Sequence, residues 1–309
     1  MTGLIVLFLL LVLAGPSGYA QSESQIAGPP TAPGVTSSPL NGNWNIAGNR
    51  QKNQFPAISM FLQVDGAQIV THAHIEVHCP SDPVNGSGVG GYSLRGELAA
   101  DGSFTLTQHD PRNTLQAEIR GRIPAEGSAT WSGGYTVFRS PSRNCPGFDQ
   151  PQTGSFTATP LAPLDGTFSG SLLSSNLAST PVGITRRGDQ PTFTITAKQG
   201  DVVTRTLKSG GRYFYLPVVG TIKVKGSPCF SHGFADPVTY DTHTSIPSYP
   251  GTLRGDFLDM MFAMNDESNL TVRAYFTDPG ESGLSVFEAS VQGGKCANQN
   301  FRGTLQRKK

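Results

Sequence analysis

Leu115-Gln116-Ala117-Glu118-Ile119-Arg120-Gly121-Arg122-Ile123 alternates small or apolar side chains with polar ones without a fault. A period of two belongs to a strand with one face in a core and the other in water. Leu270-Thr271-Val272-Arg273-Ala274 repeats the pattern in the second half of the chain. Asp101-Gly102 reads as the turn of a hairpin, because glycine accepts the positive φ that tight turns need. No stretch carries a helical period of useful length. The class is therefore all-β. In the first half the pattern predicts strands near residues 43–47, 58–64, 69–79, 92–99, 104–108, 115–123, 129–138 and 155–159.

Outward from these strands the chain reads as one unit written twice. Cys79 and Cys145 stand 66 positions apart, and Cys229 and Cys296 stand 67 apart. Leu40-Asn41-Gly42-Asn43-Trp44 returns as Leu164-Asp165-Gly166-Thr167-Phe168. Ser93-Leu94-Arg95-Gly96-Glu97 returns as Thr252-Leu253-Arg254-Gly255-Asp256. Of the three pairings that four cysteines allow, the matched spacing selects Cys79–Cys145 and Cys229–Cys296. Each bridge would close its own repeat and contribute up to ~4 kcal/mol by restricting the unfolded chain.

The remaining organisation follows from composition. Residues 4–14 are an unbroken apolar run, and Gly18-Tyr19-Ala20 places small residues where a signal peptidase reads. Residues 1–20 are expected to be a secretory signal and the mature protein to be secreted, periplasmic or on the cell surface, where disulfides persist. No later run is apolar enough to span a bilayer. Residues 21–39, rich in Pro, Ser, Gly and Thr, read as a disordered leader. The two β modules are expected at 40–160 and 161–309. The formal net charge is +1, without the basic excess that phosphate-backbone binding requires, so nucleic acid is not an expected partner.

Successive hairpins with one buried face fit an up-and-down barrel or a two-sheet sandwich, and a barrel also removes exposed edges. Gly42-Asn43-Trp44 resembles the G-x-W opening of the calycin barrels (lipocalins, fatty-acid-binding proteins and avidins), and Gly166-Thr167-Phe168 is a degraded copy of it. Ala129-Thr130-Trp131-Ser132-Gly133-Gly134-Tyr135 resembles a strand of the avidins. The resemblance implies a barrel and a function of holding something apolar. It does not imply biotin, because avidins line that pocket with several tryptophans and this chain has only Trp44 and Trp131.

One stretch carries chemistry. His72-Ala73-His74-Ile75-Glu76-Val77-His78-Cys79 holds three of the six histidines and one glutamate at every second position. On a strand, His72, His74, Glu76 and His78 share a face while Ala73, Ile75 and Val77 face the core. Same-face neighbours sit about 6.5–7 Å apart, so imidazoles and the carboxylate can converge on one divalent ion such as zinc or copper. An open coordination position would let that ion activate water. The second repeat offers an internal control. Ile75-Glu76-Val77-His78 aligns with Ile222-Lys223-Val224-Lys225, so the shared fold does not need metal ligands on this face.

Other motifs are weaker. Gly86-Ser87-Gly88-Val89-Gly90-Gly91 matches G-x-G-x-x-G but lacks the parallel strand and helix of a nucleotide site, and reads as a loop. Ser231, His232, Asp236, Asp241 and His243 lie in a long polar loop without the order of a catalytic triad. Glu97 and Asp256 read as solvated strand charges. The expectation from sequence is a non-enzymatic binding or interaction protein whose partner is an apolar small molecule or another surface. A metal-dependent hydrolase on the histidine face and a structural surface protein are the alternatives.

Overall fold

The structure, a computed structural model, describes residues 38–49, 54–77, 88–109, 113–124, 128–138, 151–174, 190–206, 212–227, 230, 238–241, 251–264, 268–276, 283–293 and 299–308. The first half supplies β1 (Gly42–Asn49), β2 (Gln54–Asp65), β3 (Gln68–Val77), β4 (Gly88–Tyr92), β5 (Arg95–Leu98), β6 (Ser103–His109), β7 (Leu115–Arg122), β8 (Trp131–Val137) and β9 (Gln152–Pro160). The second supplies β10 (Asp165–Ser171), β11 (Leu173–Ser174), β12 (Thr192–Gln199), β13 (Val203–Thr206), β14 (Arg212–Lys225), β15 (Val238–Asp241), β16 (Gly251–Arg254), β17 (Phe257–Ala263), β18 (Asn269–Phe276), β19 (Gly283–Gln292) and β20 (Asn300–Arg307). Among the described residues no helix is long and apolar enough to cross a membrane.

Each half closes on itself. In the first, β1, β2, β3, β5, β6, β7, β8 and β9 pair in that order, and β9 returns to β1. In the second, β10, β12, β14, β16, β17, β18, β19 and β20 do the same, and β20 returns to β10. The result is two antiparallel eight-stranded barrels in tandem, which decides between barrel and sandwich. All four cysteines, and with them the Cys79–Cys145 and Cys229–Cys296 bridges, lie outside the described residues.

The period-two pattern predicts the barrel walls well because it reports a packed interior. Ala117 and Ile119 of β7 point inward and are fully buried. In the first barrel Trp131 fills the centre, with Phe104, Phe156 and Trp44 edge-on at centroid distances of 5.4, 5.0 and 6.0 Å. The G-x-W opening does structural work in both halves. Leu40 and Leu164 are fully buried, Gly42 and Gly166 have positive φ, and Trp44 and Phe168 turn inward at the closing seam. The Trp44 indole donates to the Leu40 carbonyl at 2.8 Å, so its one polar atom is satisfied in the core.

Three sequence expectations are corrected. The glycine-rich segment is not only loop, because Gly88–Tyr92 is β4, paired with β3 from Ala73 to Val77. Backbone pairing needs no side chain, so a pattern built on side chains cannot see it. The words around Arg95 and Arg254 are not equivalent. Gly96 sits mid-strand opposite Ile69 and Leu106, whereas Gly255 makes the β16–β17 turn with φ 65°. The alignment of the histidine strand moves by two residues. Ladders run Trp44–Met60–Ala73 in one barrel and Phe168–Ile195–Ile222 in the other. Ala73-His74-Ile75-Glu76 therefore matches Ile222-Lys223-Val224-Lys225. The shift is even, so the lysines still occupy the same outer face.

Candidate functional site

The β2–β3 hairpin has two buried faces. Ile58, Met60 and Leu62 on β2, with Ala73, Ile75 and Val77 on β3, line the interior of the first barrel. Ser59 and Phe61 alternate with them on β2, and His72, His74 and Glu76 do so on β3. All five are buried, because the second barrel covers them. The parity expected for the histidines is correct, but the exposure is not. Phe61 is completely buried and joins the apolar cluster of the second barrel.

Polar groups lock this contact. Ser59 Oγ donates to Asp256 Oδ1, and the Asp256 amide donates back to Ser59 Oγ at 3.1 Å. Asn43 Nδ2 donates to the Gly255 carbonyl at 2.5 Å. Asp65 and Arg212 pair at 2.5 Å on the exposed rim. Asp256 is thus an anchor between barrels rather than a solvated strand charge. Glu97 does stay exposed, accepting from Gln68 Nε2 at 2.7 Å.

The imidazoles are taken up by rings of the second barrel. His74 stacks on Phe257 at 4.6 Å, with Tyr275 at 5.3 Å. His72 leans on Tyr213 at 4.9 Å, and its Nδ1 lies 3.2 Å from Ser93 Oγ. His72 Nε2 is buried without an aligned hydrogen-bond partner. Burial, reinforced by the positive charges of Arg254 and Arg95, lowers the His72 pKa to about 4, although the Phe214 backbone carbonyl acts in the opposite direction. His72 is therefore neutral at pH 7. Glu76 is buried on the same face, and His78 lies outside the described residues. Among the described residues no group of three or more His, Cys, Asp or Glu side chains is placed to hold a metal ion. Ser231, His232, Asp236 and His243 also lie outside the described residues.

A second feature was not anticipated. β1 pairs with β9 only at Trp44 and Asn45. Beyond that point β1 stays with β2 through two register shifts to Asn49. Gly48, at φ 66°, permits the bend: a Cβ there would lie 2.4 Å from the carbonyl oxygens of Gln54 and Pro56. The seam between β1 and β9 opens into a pocket of about 630 Å³. One wall is Ile46, Ala47 and Gly48 with Gln54, Phe55 and Pro56 at the start of β2. The other is Tyr135, Ser155 and Phe156. The Tyr135 ring lies across β9 at Gly154, where a Cβ would sit 2.5 Å from its hydroxyl oxygen. Burial raises the Tyr135 pKa, so the hydroxyl keeps its proton.

The second barrel handles the same seam differently. β10 also meets β20 at two positions, Phe168 and Ser169. The same strand then carries on past Leu172 as β11, in unbroken register along β20, with Leu173 opposite Arg302 and Ser174 opposite Phe301. Leu172 is fully buried there. It fits because its neighbour is Gly303, where a Cβ would come within 3.1 Å of Leu172 Cδ2. Counting along the ladders, Gly303 corresponds to Phe156 and Phe301 to Gly154. Phe193, Phe230 and Phe301 pack edge-on and tilted in that core, with centroids 5.4–5.8 Å apart. Period and parity could not find the pocket, because it arises from a pairing that one barrel makes and the other omits. The exchange of Phe156 for Gly303 is its only trace in sequence. No protein-family model, curated protein or solved structure matches this chain.

Proposed function

We propose that this is an exported, non-enzymatic binding protein that holds an apolar group in the open seam of its first barrel. The observation that carries this reading is the contrast between the copies: one seam is filled by Leu172 and β11, and the other leaves an open cleft of about 630 Å³ where Ile46, Phe55, Pro56 and Phe156 alternate with Gln54, Tyr135 and Ser155. That volume suits a small-molecule site, in which apolar walls supply affinity and polar groups fix orientation. The Tyr135 hydroxyl, the Gln54 amide and Ser155 supply the polar rim. Tyr135 is the only titratable side chain among the lining residues, which favours binding over hydrolysis. The barrel centres are occupied by their own aromatic rings, so the ligand belongs at the seam rather than on the barrel axis.

The test uses an apolar fluorescent dye, 1-anilinonaphthalene-8-sulfonate, with the wild type and with Gln54→Trp. Gln54 is exposed at the rim, so an indole there fills the pocket without disturbing the core. Saturable binding to the wild type and its loss in the variant are expected. Absence of dye binding, or equal binding to both proteins, would remove the reading.

A further inference from the structure

We infer that the natural occupant of the first barrel's seam is an extended peptide segment of another protein, which adds as a strand to the edge of β9 that β1 leaves after Asn45, unpaired among the described residues, and seats an apolar side chain in the pocket. This inference rests on reading the seam as a binding site, and it deepens that reading by naming the class of ligand.

The argument comes from the duplicate. In the second barrel the corresponding edge is not left open. β11 lies antiparallel along β20 at Phe301 and Arg302, and Leu172 just before it is buried in the seam. There the barrel's own first strand keeps its register and covers the edge with Leu172 inside, whereas β1 leaves β9 after Asn45, so the first barrel lacks the extended segment with an inward leucine that this edge is built to pair with. In the first barrel the positions equivalent to Phe301 and Arg302 are Gly154 and Ser155. Among the described residues β9 pairs with β8 there, and with β1 only at Thr159 and Pro160.

A strand edge with one neighbour presents unpaired N–H and C=O groups, a ready template for a further strand. Strand addition uses such edges, with backbone hydrogen bonds supplying affinity and pockets for alternate side chains supplying selectivity. Both elements lie together here. The edge runs along residues 154–158, and the pocket beside it is walled by Ile46, Pro56, Tyr135 and Phe156. Ser155 stands at the rim, where β20 carries Arg302.

The chain supplies its own probe. An acetylated, amidated peptide Gly-Ser-Leu-Leu-Ser-Ser copies residues 170–175, and an analogue N-methylated at both leucines keeps the side chains but loses two backbone donors. The full mature chain is titrated with each in the presence of the dye, and amide exchange is followed along β9. The peptide is expected to displace the dye and to slow exchange at residues 154–156. The N-methylated analogue is expected to bind about tenfold more weakly, because one of the two adjacent amides faces β9 and its methyl group both removes a backbone hydrogen bond and holds the strands apart. Dye that binds but is untouched by the peptide, or peptides of equal strength, would overturn the inference and leave the apolar pocket standing. Absence of dye binding would remove both. Protection of β9 that grows with protein concentration alone would assign the seam to a second copy of this chain and also overturn the inference.

Discussion

The His74 imidazole lies flat against the Phe257 ring, centroids 4.6 Å apart and planes 12° from parallel, across the boundary between the two barrels. A side chain suited to metal binding is here engaged as an aromatic surface. Phe257 itself continues into Tyr275 and Phe287, whose rings stack at 4.9 Å. The two barrels therefore share a packed seam of aromatic rings, and the first consequences concern stability.

Phe61 is fully buried yet faces away from its own barrel. Phe61→Ala is expected to cost about 3–5 kcal/mol, as for truncation of a core phenylalanine. A denaturant melt reads this as a lower midpoint. A midpoint equal to that of the wild type would mean that the second barrel does not cover this face in solution.

Acid should weaken the same boundary. The His72 pKa is lowered from 6.5 to about 4, first by burial and then by Arg254. Above pH about 6.5 both folded and unfolded chains carry a neutral imidazole, and the contribution is complete. As pH falls towards 4 the unfolded chain takes up a proton that the folded one refuses. Stability then drops by up to about 3 kcal/mol and levels off below that range. Unfolding midpoints at pH 7, 5 and 4 for wild type and His72→Gln test this. The advantage of the wild type should shrink on acidification, and an advantage that grew would have the wrong sign.

Metal content separates binding from hydrolysis. His74 is enclosed by Phe257 and Tyr275, and the nitrogens of His72 are buried against Tyr213 and Ser93. Protein purified without chelator or histidine tag is expected to contain no stoichiometric zinc or copper. His72→Ala with His74→Ala is expected to lower stability without changing metal content. Elemental analysis showing one equivalent of metal, lost in the double variant, would revive the hydrolase.

The strand ends make a statement about the cysteines. β3 ends at Val77, two residues before Cys79, and Cys145 falls between β8 and β9. In an antiparallel barrel those ends lie on one rim. The end of β14 and the β19–β20 connection do the same for Cys229 and Cys296. Non-reducing peptide maps are expected to recover Cys79 with Cys145 and Cys229 with Cys296. A crosslink between the halves would overturn this pairing.

The barrels were legible because Ala117 and Ile119, or Leu270 and Val272, alternate with polar neighbours wherever a wall has one wet face. The histidine strand was half legible. Its parity followed from period two, but its cover did not, since cover is set by residues two hundred positions away, such as Asp256 and Phe257. A hint was present in Met60-Phe61-Leu62, because consecutive apolar residues on a strand mean that both faces are buried. The open seam left no pattern. It depends on whether the end of the first strand of each barrel stays with its hairpin partner or keeps its register along the last strand, and that choice rests on single positions such as Gly48 and Leu172.

The two barrels dock through unlike faces, the β2–β3 side of one against the β16–β17 side of the other. A head-to-tail contact of this kind, repeated between molecules, builds rings or open fibres according to whether its rotation closes. The second barrel has the equivalent of the docking face, but it carries Thr196 where the first has Phe61, Lys223 where it has His74, and Lys225 where it has Glu76, all three exposed. Those lysines keep that face hydrated and end the stack at two barrels. Phenylalanine at 196 and histidine at 223 would give the second barrel the side chains through which the first barrel docks.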